Sequence, residues 1–219
     1  MGKISAVIFD LDGTLVRYRG AEFESSWGAL ATAAGVGAAA SALLAEYLPK
    51  RDAYAEWVRK DAALLAGVPV SQVAAHLFPA PYAAGVRVAV ERLAGGYRLG
   101  ILSSGVDLVA NWVRDDLGLD FARANRLEVV DGRFTGRAVT CVDLWSKDRA
   151  LEGVCAEQGL EVEDVCYVGD HVNDIPAMRR AGLAIAANPK DAGLLDVCDH
   201  VIADFGDLPD LIEAHAGQR

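Results

Sequence analysis

The sequence predicts an α/β protein: a doubly wound parallel sheet with a small helical insertion after its first strand. Three observations predict it. Short apolar runs rich in β-branched residues recur along the chain, several ending in polar residues. Helical patterns lie between most of them, which is the signature of a parallel sheet with helices on both faces. The long stretch between the first and second runs carries helical periods and no convincing strand.

The elements follow in order. Ile4–Phe9 is continuously apolar and ends at Asp10, as a strand buried on both faces does. Glu22 to about Pro79 reads as the helical insertion, with apolar periods at Tyr54, Trp57, Val58, Leu64 and Leu65. Within it, Ser25–Ala45 is uncharged and long enough to suggest a membrane span. It is mostly Ala and Gly, however, and Gly35-Val36-Gly37 breaks it, so two short packed helices are expected. Pro79 and Pro81 mark the return to the sheet. Helix Ala83–Ala94 leads to strand Leu99–Leu102, which ends at Ser103-Ser104-Gly105, and helix Val106–Leu117 follows. Asp131-Gly132 lies between alternating runs over Leu127–Val139 and predicts a hairpin. Helix Lys147–Gln158, strand Val165–Val168, helix Asp174–Ala181 and strands Leu183–Ala186 and His200–Ala203 complete the pattern. The expected division is a sheet domain of residues 1–16 and 80–219 and a cap of residues 17–79.

Composition narrows the function. A length of 219 residues suits one main domain with a small insertion. A net charge of −10 repels phosphate backbones, so nucleic acid is not an expected partner. The apolar N-terminal run is short and ends in an aspartate, unlike a signal peptide. Cys141, Cys155, Cys166 and Cys198 form no CxxC pair and read as reduced thiols. A cytoplasmic monomer or homodimer, off the membrane and acting on a small molecule, is the expectation.

Chemistry concentrates at the strand ends. Asp10, Asp12 and Thr14 follow the first strand, Ser103 the second, and Asp170, Asn173 and Asp174 the strand at Val165–Val168; Lys147 opens the helix before that strand. In an open α/β sheet these positions converge on the carboxyl edge at the switch point. Carboxylates brought together need a cation, and hard oxygens favour Mg²⁺. A lysine and a serine beside them suit an oxygen-rich anion such as a phosphoryl group. One carboxylate can attack phosphorus, and a second, two residues on, can protonate the leaving oxygen and then activate water.

Four motifs carry a resemblance to the haloacid dehalogenase superfamily of phosphatases, whose core is Rossmann-like. They are Phe9-Asp10-Leu-Asp12-Gly13-Thr14-Leu15, Ile101-Leu-Ser103-Ser104-Gly105, Lys147, and Val168-Gly-Asp170-His-Val-Asn173-Asp174. Ala124-Asn-Arg-Leu and Asp131-Gly-Arg-Phe-Thr-Gly136 are similar to the phosphoserine phosphatase branch, which carries a helical cap after the first motif. The resemblance implies that Asp10 is the nucleophile and Asp12 the acid and then the base. It implies that Asp10, the Asp12 main-chain carbonyl and Asp170 bind Mg²⁺. Thr14, Ser103, Ser104, Gly105, Lys147 and Asn173 would serve the phosphate, and Asp174 would position Lys147.

The cap departs from that branch, whose members resemble one another in a glutamate for the serine amino group and an arginine for its carboxylate. Ser25 falls where the glutamate would be and Asp61 where the arginine would be. Glu22, Glu24 and Arg59 are the nearby candidates for those roles. Another small phosphorylated metabolite is therefore favoured over phosphoserine. Transfer to an acceptor alcohol, or a silent site in a regulatory binding protein, are the alternatives. Trp112 and Trp145 read as packing residues and His171 as a rim residue.

Overall fold

The computed structural model describes residues 3–217. Its strands are β1 (Ala6–Phe9), β2 (Arg98–Val106), β3 (Phe121–Val130), β4 (Arg133–Val139), β5 (Val165–Gly169), β6 (Leu183–Ala187) and β7 (His200–Ile202). Its helices are α1 (Ser26–Ala33), α2 (Gly37–Tyr47), α3 (Tyr54–Leu64), α4 (Val70–Leu77), α5 (Val86–Leu93), α6 (Asp107–Leu117), α7 (Lys147–Gln158), α8 (Ile175–Met178) and α9 (Leu208–Gly217). The strands form one sheet in the order β4-β3-β2-β1-β5-β6-β7, parallel except for β4.

Side-chain alternation along β1 builds two cores. Val7 and Phe9 join Val90, Leu93 and Val113 on one face; Ala6 and Ile8 join Leu151, Val154 and Tyr167 on the other. All four β1 residues are buried, as its unbroken apolar sequence requires. Register then places the chemistry. Phe9 is paired with Ile101 of β2 and with Val168 of β5. The residues beyond these three therefore emerge together, at the point where strand order reverses.

Residues 25–45 form α1 and α2, broken at Ala34–Val36, as expected. Among the described residues no helix is long and apolar enough to cross a membrane. The four cysteines are unpaired.

Three differences from the expected boundaries bear on the site. The hairpin turn is at Asp131-Gly132, where both residues have positive φ (50° and 71°). Its first arm, however, begins at Phe121, and Phe121–Arg123 pair in parallel with Gly100–Leu102 of β2. The mixed sequence Phe121-Ala-Arg-Ala-Asn-Arg126 has no apolar run to announce that strand. Strand β2 runs through Ser103–Gly105 instead of stopping before them. Helix α8 starts only at Ile175, because the Asp174 carboxylate turns back to accept from the main-chain N–H groups of Asp170 (3.0 Å) and His171 (3.2 Å).

The hairpin reaches up to the helical insertion. Gly67 N–H donates to the Phe134 carbonyl (2.8 Å), Phe134 N–H to Val68 (3.0 Å) and Val70 N–H to Gly132 (2.9 Å). Gly136 has φ +84°, and a Cβ there would sit 2.9 Å from the Ala66 side chain, so the hairpin lies tight against the end of α3.

Candidate active site

After β1 the chain makes a tight loop, closed by Gly13 N–H to the Val16 carbonyl (2.8 Å) and Val16 N–H to Leu11 (3.0 Å). Gly13 needs its positive φ of +83°, and a Cβ there would meet Asp170 Oδ2 at 2.3 Å. The loop thus brings the first and fourth motifs together. Thr14 donates its hydroxyl to Asp170 Oδ1 at 3.1 Å.

Lys147, at the start of α7, is fully buried between two carboxylates, 2.8 Å from Asp10 Oδ1 and 2.7 Å from Asp174 Oδ1. Burial alone would push its ammonium pKa down, but Asp10 and Asp174 outweigh this and hold it above the ordinary lysine value. Asp174 Oδ1 also accepts from the Tyr167 hydroxyl at 2.9 Å. Both Asp174 oxygens are thereby occupied, so Asp174 acts as a scaffold for Lys147 and for the fourth motif.

Asp10, Asp170 and Asp174 are buried, with carboxylate oxygens within 4.8 Å of one another. Burial, then Asp174 and Asp170, push the Asp10 carboxyl well up, against the pull of Lys147. Burial and Asp174 likewise raise Asp170, opposed by Lys190, 3.1 Å from its Oδ2. An all-oxygen cluster carrying more negative charge than Lys147 balances has the chemistry of a hard-cation site. Asp174 accepts four bonds, against two polar contacts at Asp170 and one at Asp10, so Asp10 and Asp170 are the carboxylates better placed to hold an ion.

Asp12 faces the insertion. Burial pushes its carboxyl up to about 6, while Ser26 pulls it down through two hydrogen bonds. Ser103 is buried, and its Oγ accepts from Gly105 N–H at 3.0 Å, which leaves its O–H free to donate. Gly105 has no room for a side chain: a Cβ would lie 2.5 Å from Asp12 Oδ2 and 2.6 Å from Ser26 Oγ.

A cavity of about 250 Å³ joins Asp10, Asp12, Ser103, Ser104, Gly105, Asp170 and Asn173 to the underside of the insertion. His171 and Glu22 line it as well, and so does Trp145, which was expected only to pack. Trp112 does pack, stacked on Phe78 at 4.7 Å. Of the cap candidates, Glu24 is taken by Lys190 (2.6 Å) and Arg17 (3.3 Å). Arg59 is exposed, off the cavity wall, and donates to the Ala55 carbonyl.

Several contacts in this network carry no sequence signal of their own. Ser104 O accepts from Tyr54 Oη (2.7 Å), Asn125 Nδ2 (2.8 Å) and Trp27 Nε1 (3.2 Å), tying α1 and α3 to the end of β2. Asn125 is fully buried, and its Oδ1 accepts from Cys141 N–H (2.8 Å) and Val142 N–H (2.9 Å). Lys190 lies in the loop after β6, far in sequence from the motifs it touches.

Comparison with known proteins agrees with this geometry. Residues 7–179 match the family described as haloacid dehalogenase-like hydrolase. The chain is 34% identical over 199 residues to a phosphoserine phosphatase from Archaeoglobus fulgidus, covering 90% of this chain and 56% of that protein. It is 30% identical over 200 residues to one from Methanocaldococcus jannaschii, covering 90% and 92%. The chain spans about half the length of two of the curated relatives it matches, 56% and 46%. A solved structure described as a phospho-aspartyl intermediate analogue of phosphoserine phosphatase superposes with a TM-score of 0.76 at 29% identity, covering 97% of this chain and 99% of that one.

Proposed function

The chain belongs to the haloacid dehalogenase-like hydrolase family, and on that premise we propose that it is a Mg²⁺-dependent phosphomonoester hydrolase that works through an aspartyl-phosphate on Asp10. The buried Asp10–Lys147–Asp174 arrangement carries the reading, because it fixes one carboxylate beside a permanent cation at the mouth of a cavity.

Asp10 and Asp170, with the Asp12 main-chain carbonyl, would hold Mg²⁺. When bound, the ion offsets the negative charge of the phosphoryl group and of the carboxylates around it. In the first step an Asp10 oxygen bonds to phosphorus, the ester P–O bond breaks, and the leaving alkoxide takes the proton from Asp12. Water then attacks phosphorus and gives a proton to Asp12; the Asp10–phosphorus bond breaks, releasing phosphate. A carboxyl near pKa 6 can serve in both directions close to neutral pH. Lys147 steadies the charge on Asp10. The free Ser103 O–H, with Asn173 and the Ser104–Gly105 segment, receives the phosphoryl oxygens. Thr14 acts indirectly, by orienting Asp170.

The substrate is a small phosphorylated metabolite, and water is the acceptor. We assign the described residues of 1–16 and 80–219 to a core and 17–79 to a cap, with the β3–β4 hairpin bonded to the cap at Gly67, Val68 and Val70. The unpaired thiols support a reducing compartment, and we place the protein in the cytoplasm. The test is release of phosphate from an aryl phosphate with Mg²⁺ and with chelator. Release that requires Mg²⁺ supports the reading, and no release in either condition would overturn it.

A further inference from the structure

The part of the cavity beneath the insertion has a chemistry of its own. Its wall is largely apolar: Trp27 and Leu30 of α1, Leu44 of α2, and Trp57, Val58 and Leu65 on or just beyond α3. Among the described residues, Lys190 is the one cationic side chain on the cavity wall, and it is already paired with Glu24 and Asp170. An amino-acid carboxylate entering this space would find no free cation.

Ser25, Thr32 and Ser41 also line the cavity, and α1–α3 contribute one carboxylate to its wall. Tyr54, Trp57, Val58 and Asp61 follow one another at helical spacing on α3 and all line the cavity. Tyr54 marks the phosphate end, since its hydroxyl bonds Ser104. Asp61 lies seven residues on, about 10 Å further along the helix axis. Its Oδ1 is buried, and the one side-chain donor within reach of its carboxylate is the Trp57 indole one turn back. A carboxylate has room for several donors, so with one neutral donor in an apolar wall it is under-satisfied, and a ligand donor would complete it.

We infer that this site accepts the phosphate monoester of an apolar, ring-sized alcohol bearing an amine or hydroxyl at its remote end, and that Asp61 receives that donor. Size agrees with this, since an engineered apolar cavity of about 150 Å³ takes benzene, and about 250 Å³ here leaves room for a phosphoryl group as well. Ionised, as at the pH 8 of the assays below, Asp61 is thus a specificity residue that repels a carboxylate at the position it guards. The inference rests on the phosphatase reading for its turnover readout, but not for its binding readout.

The test compares four benzyl phosphates differing only at the para position: aminomethyl, hydroxymethyl, methyl and carboxylate, with L-phosphoserine alongside. At pH 8, turnover with Mg²⁺ gives kcat/KM, and calorimetry with the matching benzylphosphonates gives Kd without turnover. We expect the aminomethyl and hydroxymethyl compounds to exceed the methyl compound by about tenfold in both readouts. The carboxylate compound and L-phosphoserine should fall below it. The amine-to-hydroxyl ratio identifies which donor the site prefers. Asp61→Asn, which conserves shape, should abolish the preference for the amine and relieve the exclusion of the carboxylate. Asp61→Leu should make the methyl compound the best of the four. If no compound turns over but the phosphonates bind in this order, the inference holds and the hydrolase reading fails. A preference for L-phosphoserine, equal handling of all four para groups, or no binding of any phosphonate would overturn the inference.

Discussion

Ser26 donates to both carboxylate oxygens of Asp12, its main-chain N–H to Oδ1 at 2.9 Å and its hydroxyl to Oδ2 at 2.7 Å. Ser26 is the first residue of α1, so the helical insertion grips the Asp12 carboxyl directly. The same hydroxyl accepts from Val106 N–H at 3.3 Å, which fixes its orientation.

Ser26→Ala removes one of the two bonds that favour ionised Asp12, leaving burial less opposed. The Asp12 pKa should therefore rise, by about one pH unit if the bond contributes about 1.4 kcal/mol. In the proposed reaction protonated Asp12 expels the alcohol. The descending limb of kcat/KM against pH should accordingly move to higher pH in the variant. An unmoved limb would separate Ser26 from the acid.

Lys147→Met tests the charge balance. It leaves Asp10 and Asp174 buried without their shared cation. Breaking a buried pair in this way costs about 3–5 kcal/mol. We expect urea denaturation to show a loss of that size in chelator, smaller in saturating Mg²⁺, with activity abolished in both. A loss independent of Mg²⁺ would argue against an ion beside Asp10.

Asn125→Ala strips the Ser104 carbonyl and the Tyr54 hydroxyl of a partner and leaves the Cys141 and Val142 N–H groups unpaired. Stability should drop by about 3 kcal/mol or more, at about 1–3 kcal/mol per orphaned group. Because Tyr54 carries α3, the cavity should loosen and KM should rise more than kcat falls. A change confined to kcat would contradict this.

Asp61 should make the protein less stable as pH rises. Its carboxyl is pushed by burial from 3.8 to about 7. Folding therefore favours the protonated form: the contribution is full below pH 4 and is lost as pH climbs to about 7. At about 1.4 kcal/mol for each pH unit between those values, the loss amounts to a few kcal/mol. Urea unfolding of wild type and Asp61→Asn at pH 4.5 and pH 8 reads it directly. The variant should gain on the wild type at the higher pH; parallel curves would contradict this.

How much of this was legible in the sequence follows from the range of the interactions. Strand β1 announced itself because a strand buried on both faces must be apolar throughout, and Asp10 and Asp170 stood out as charges ending such runs. The first half of β3 was hidden because Arg123, Asn125 and Arg126 interrupt its apolar pattern. Asn125 is polar there because it bonds Tyr54, 71 positions away, and Ser26 meets Asp12 only once α1 has docked. Neither pairing leaves a local pattern. Trp145 read as packing because an aromatic that lines a cavity has the same local signature as one that fills a core. Arg59 was a reasonable cap candidate by spacing, yet helix phase puts Trp57, Val58 and Asp61 on the cavity side of α3 and leaves Arg59 exposed.

The most direct measurement is acid quenching of the enzyme during turnover of an aryl phosphate with Mg²⁺, followed by peptide mass spectrometry. We expect one phosphoryl group on the peptide containing Asp10, labile to hydroxylamine and absent from Asp10→Asn, which should be folded and inactive. A phosphoryl group on any other residue, or steady turnover by Asp10→Asn, would contradict a covalent route through Asp10.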